Sequence, residues 1–196
     1  MQSLPSPPPL AFMDGFSNAL VFDDTLHVAW RGFAADFLAS CLILIFGKGV
    51  GLQRACENAG LWARARGYSL SIDEFSLSDD KFPSVNAKGY EIKICCTWLA
   101  AWLQSMLSAT LYWRYLSLNF TIDAVWPRAA RALAINISIL ERSVYAVSRE
   151  DVDRGIQACH RFVVGYIWLA HSCHLAGQRL FKLRPKTLGF KHSHPA

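Results

Sequence analysis

Residues 94–113 run for twenty positions without a charge, bounded by Lys93 and Arg114. A stretch of that length is either long enough to cross a bilayer as a helix or apolar enough to be the inside of a protein. Two more uncharged stretches follow the same logic, at 162–178 and at 37–46, the last too short to cross. The placement of polar residues separates the readings. Thr97, Gln104, Ser105 and Ser108 stand at i, i+7, i+8 and i+11 and share one helical face, while Trp98, Trp102 and Met106 take another. A polar stripe opposed to an aromatic one is what a helix at the surface of a bundle needs. His160, His171, His174 and Gln178 likewise align along one side of the later helix. The pattern favours a helical bundle. A small multi-helical membrane protein with spans at 94–113 and 162–178 stands as the alternative.

Composition narrows the class. A chain of 196 residues suffices for one domain with a sizeable core, and a hydrophobic fraction of 53% excludes wholesale disorder. A net charge of +5 is basic, yet too modest to mark a nucleic-acid-binding protein by itself. Six cysteines without tight metal spacing exclude a zinc finger or a disulfide miniprotein. Cys41, Cys56, Cys95, Cys96, Cys159 and Cys173 mostly lie in apolar helical patterns, as thiols of a reducing compartment do. Adjacent Cys95 and Cys96 point to different sides of a helix and make a poor pair. Residues 1–9 are uncharged, hold four prolines and lack the basic start and apolar run of a signal peptide. The expected organisation is a flexible proline-rich tail over 1–20 and a single helical domain over 21–196. The expected location is intracellular, in nucleus or cytoplasm, with the membrane as the alternative.

The expected fold is all-α: an irregular multi-helix bundle with a long C-terminal helix and a disordered N-terminal tail. Helix is predicted over 24–46, capped by Asp24 and stopped by Gly47 and Gly49, then over 52–66 up to Gly67. Residues 69–84, with Asp73, Glu74, Asp79, Asp80 and Pro83, read as an exposed loop. Helices follow over 87–116, with a break near Ser108, and over 122–147, with Pro127 near its first turn. Ser148 and Asp151 have capping-box spacing and open the last helix, which is expected to run to about Leu183, before Arg184-Pro185.

Few residues have the spacing that chemistry requires. Asp24 and His27 are three apart and can meet on a helical turn, as an oriented imidazole or simply as an N-cap beside a histidine. His171 and His174 share a face, but no carboxylate accompanies them, and His160 lies about 16 Å away. No metal, cofactor or catalytic residue is therefore assigned. Gly47-Lys48-Gly49-Val50-Gly51 lacks the spacing of a phosphate loop. Arg179, Lys182, Arg184, Lys186 and Lys191 form a basic run free of acids, suited to phosphates or to compensating a helix dipole. Arg128 and Arg131 lie on a separate helix and can extend that run only if the fold brings them near.

Two strings carry a family resemblance. Asp24-Thr25-Leu26-His27, followed by Gly32, resembles the D-x-[LM]-H and glycine of eukaryotic cut-and-paste transposases of the CACTA type and their relatives. Pro185 and Lys186 through His192 are similar to the P-K-x-H-x-x-x-H string that follows the helical insertion of those enzymes, with Leu188 where the family has its first histidine. Many transposon-derived protist proteins bracket a helical region with this pair, often with a string resembling Ala87-Lys88-Gly89. The resemblance implies an RNase H-like sheet on which two aspartates and a glutamate hold divalent metal. It also places the first aspartate before residue 1 and the glutamate beyond Ala196, and no strand-rich stretch is present to form the sheet. The expectation is a non-catalytic helical fragment resembling the insertion region, with weak, sequence-independent nucleic-acid binding. A helical module for an unknown protein partner is a further alternative.

Overall fold

The computed structural model describes residues 31–77, 82–108, 120–142 and 147–183. They form five helices, α1 (Ala35–Phe46), α2 (Val50–Arg64), α3 (Gly89–Ser108), α4 (Phe120–Arg142) and α5 (Arg149–Leu175). Among the described residues the nearest thing to a sheet is an isolated antiparallel bridge between Leu77 and Val85. The all-α bundle with a long last helix is thus the observed architecture. α4 packs most extensively on α5, α3 packs on α4, and α1, α2 and α3 pack on one another.

The sequence of α1, ADFLASCLILIF, is apolar nearly all round, and a helix of that kind has no solvent face. Every residue from Gly32 to Leu42 is buried, and a single π-helical turn over residues 31–34 leads into it. Phe33 and Phe37 meet Phe162 of α5, each with ring centroids 5.3 Å apart. The polar Ser40 sits at full burial and is satisfied on both sides. Its Oγ donates to the Asp36 carbonyl at 2.8 Å and accepts from the backbone N–H of Phe181 at 2.9 Å. Tyr166 Oη donates to the Lys182 carbonyl at 2.7 Å. Together these bonds clasp residues 181–182 onto α1 and α5. Phe181 has φ of 55°, a left-handed conformation that is strained for a bulky residue. Burying its ring between Phe37 and Tyr166, with centroids at 6.0 and 5.7 Å, offsets that strain.

On the other side of α1, Trp98 of α3 is fully buried, and its Nε1 donates to Asn58 Oδ1 of α2 at 2.9 Å. The loop between α2 and α3 is not simply exposed. Phe75 and Val85 are buried, and the Val85 N–H donates to the Ala35 carbonyl at 3.3 Å. Glu91 ties the same loop to the start of α3, accepting from the Lys88 N–H at 3.0 Å, the Ser71 N–H at 3.2 Å and the Ser71 hydroxyl. Burial pushes the Glu91 carboxyl up, but these hydrogen bonds outweigh it and hold the group below the usual carboxylate range.

Several helix ends differ from the expected ones. α5 stops at Leu175, not near Leu183, because Gly177 (φ 71°) adopts the left-handed cap. Gln178 N–H then bonds the Cys173 carbonyl and Gly177 N–H bonds the His174 carbonyl, the two bonds of a Schellman motif. Leu180 and Phe181 are buried as the pattern demanded, but in the clasp and not on a helix. α4 begins at Phe120, which puts Pro127 inside the helix and not near its first turn. α1 begins at Ala35; the expected helix over 24–30 and the cap at Asp24 lie outside the described residues, as do residues 109–119 that follow Ser108, near which the break is expected. The Ser148 cap is present, its hydroxyl accepting from the Asp151 N–H at 3.0 Å.

All six cysteines are free, and all but Cys159 are buried. Burial lifts the Cys96 thiol to about 12. Cys95 and Cys41 lie well above the ordinary value, by burial first and then by neighbouring thiols. An unfolded thiol ionises near about 8.5, where the folded one keeps its proton. Stability present below that pH therefore falls as pH rises toward about 12. In urea titrations between about pH 8 and about pH 10.5, Cys96→Ala should show a shallower loss of stability than the native chain, by one proton's worth of slope. Identical slopes would contradict a buried, protonated Cys96.

Candidate polyanion-binding groove

α4 and α5 run antiparallel, because Gly165 faces Val125 and Ala129 while Gly155 faces Asn136 and Ile139. The approach is close: a Cβ on Gly165 would stand 3.2 Å from the Ala129 Cβ. Small buried residues, Ala129, Ala132, Ala158 and Gly165, form the floor of a groove of about 850 Å³. Its rims are basic. Arg128 and Arg131 line it from α4, Arg154 and Arg161 from α5, joined by Gln157 and His160, and all six are exposed.

Among the described residues, no carboxylate, hydroxyl or thiol lines this groove. Arg154 on its rim pairs with Asp151 one helical turn away at 3.5 Å, a partly exposed contact of small energetic weight. Without a nucleophile or an acid–base pair at hand, the lining is suited to holding charge. Guanidinium groups present a planar fork of donors that fits phosphate oxygens two at a time and stays charged at any working pH. Four of them, two from each of the packed helices, make a positive track along the groove.

Of the basic run expected to bind nucleic acid, the structure describes Arg179 and Lys182. Arg179 is exposed but lies past the end of α5, and Lys182 is half-buried with its carbonyl engaged by Tyr166. From Gly165 at the groove to Leu175 is about 15 Å of helix. Arg184, Lys186 and Lys191 lie outside the described residues, as do the motif residues Asp24, His27, Pro185 and His192. Gly32 is buried in the π turn before α1. The sequence pointed to Arg128 and Arg131 and missed Arg154 and Arg161, although the latter stand seven apart and so share a face. His171 and His174 are exposed, and among the described residues no group of three or more metal-ligating side chains comes together.

A second concavity, of about 590 Å³, is lined by Arg31, Ser71, Asn86, Lys88 and Glu91. Its carboxylate is already committed to Ser71 and Lys88, so this hollow serves the loop. No single described helix is long and apolar enough to cross a membrane; α1 and α2 reach that length and apolarity only as a pair bent by 117°. No family model matches the chain, and neither a curated protein nor a solved structure does.

Proposed function

We propose that this chain is a non-catalytic helical unit that binds nucleic acid without sequence preference, related to the insertion region of cut-and-paste transposases. The observation that carries the binding is the groove rimmed by Arg128, Arg131, Arg154 and Arg161, with no carboxylate among the described residues of its lining. Clustered cations of this kind displace counterions from a phosphate chain, which supplies affinity but no base reading. The floor of alanine and glycine offers few hydrogen-bonding groups for a base edge, in keeping with indifference to sequence. Among the described lining residues, His160 is the group able to move a proton, and no second acid or base stands with it in that lining, in keeping with binding alone.

Binding should be weak and steeply salt-dependent, with a dissociation constant of about 10⁻⁴–10⁻⁶ M at physiological salt. Changing Arg131 and Arg161 together to Ala should reduce the slope of log affinity against log salt by about two contacts' worth. The same change at Arg179 and Lys182 should alter it less. Filter binding at a series of salt concentrations decides the matter. If the chain retains nothing at low salt, or if the double variant binds like the native chain, the groove is not the site.

A further inference from the structure

We propose that the preferred ligand of this groove is a single strand, with an unpaired base stacked on Trp168. The inference rests on the groove being a phosphate site and concerns which form of nucleic acid it takes. Arg161, Val164, Trp168, His171 and Leu175 recur at three- and four-residue spacing, so they share one face of α5. Arg161 and Val164 already line the groove, and Trp168 follows Val164 by about 6 Å along the helix. All five are exposed. Trp98 is sealed in the core at 0% exposure, whereas Trp168 keeps 36% of its surface open beside the arginine track.

A flat aromatic face next to a line of cations is the combination that holds single strands. The cations track the backbone, and the ring offers a stacking surface that any base can use. A duplex cannot use this arrangement. Its bases are turned inward and stacked on each other, and packed helices with axes about 8–10 Å apart leave no furrow wide enough to admit it. The choice of a nucleic acid over a protein for this face follows from charge. Arg161 on the stripe, and the three further arginines that continue from it, call for an anionic chain.

The test uses the full chain and fluorescence anisotropy with three labelled probes of equal length: oligothymidylate, an abasic strand and a duplex. Oligothymidylate should bind about tenfold more tightly than the abasic strand, which carries the same phosphates without bases. Trp168→Ala should remove that preference while leaving abasic binding unchanged, and Trp168→Phe should keep most of it. If native protein binds oligothymidylate and the abasic strand equally, stacking is refuted and the groove remains a backbone site; this comparison requires no variant. Equal or tighter binding of the duplex refutes the single-strand preference in the same way. If Trp168→Ala instead dissolves a dimer detected by sedimentation, the stripe is a contact between copies and the inference falls. If none of the probes binds at low salt, the phosphate site itself is wrong and both readings fail together.

Discussion

Phe37→Ala is expected to destabilise the protein by about 3–5 kcal/mol, a large part of the total stability of an ordinary domain. Phe37 is 1% exposed and lies where α1, α5 and the C-terminal clasp converge. Its ring touches Phe162 edge-on at 5.3 Å, Tyr166 at 6.2 Å and Phe181 at 6.0 Å. Truncation removes the transfer energy of the ring and leaves a cavity whose walls are other large rings, which cannot collapse to fill it. The strained backbone at Phe181 also loses one of the aromatic contacts that hold it. Urea unfolding followed by circular dichroism should show the midpoint falling with the slope unchanged. A loss below about 1 kcal/mol would mean that this cluster is not the centre of the core.

Gly51→Ala should be nearly as severe, at about 3 kcal/mol or more, although it adds only a methyl group. The corner between α1 and α2 turns by 117° over a short linker, with Gly47 and Gly49 at φ of 72° and 64°. A Cβ at Gly51 would overlap the carbonyl oxygen of Phe46, a backbone atom that no rotamer change can move aside. Moving Phe46 is itself expensive, since its ring lies 6.1 Å from Trp98 and 4.9 Å from Trp102 of α3. Gly60→Ala is the internal control. Gly60 is inside α2, and a Cβ there would meet only the far end of the Arg64 side chain at 3.6 Å. That change should stabilise by about 0.5–1 kcal/mol through helix propensity and a less flexible unfolded chain. Thermal denaturation of the two variants should therefore move in opposite directions; parallel losses would refute the crowding at the corner.

Local signals were the legible ones. Gly47 and Gly49 mark a helix end because positive φ is open to them, and Ser148 with Asp151 marks a helix start through its hydroxyl. The stripe on α3 was readable too, with Gln104 and Ser105 exposed and Trp98 buried opposite. What failed was the reading of an end that apolar residues overrun. Leu180 and Phe181 continue the periodicity beyond Gly177, so residue type alone cannot tell a continuing helix from a segment folded back over the core. The groove was illegible for a different reason. Arg131 and Arg161 are thirty positions apart in sequence, and only the antiparallel register set by Gly165 against Ala129 brings their helices together. Nothing local to either arginine encodes that register.

The bond from Phe181 to Ser40 spans 141 residues of sequence. During synthesis, α1 precedes the clasp, so a partner for its central hydroxyl and a lid for Phe37 arrive only after 141 further residues have been translated. Chains are extended at about 5–20 residues per second, so this apolar helix waits for several seconds with part of its surface uncovered. Contacts of such long range also delay the final step once the chain is released. A ribosome-stalled chain ending before residue 181 should therefore remain protease-sensitive in α1 and engage chaperones that bind apolar segments. A chain extended far enough to free the clasp from the exit tunnel should become resistant.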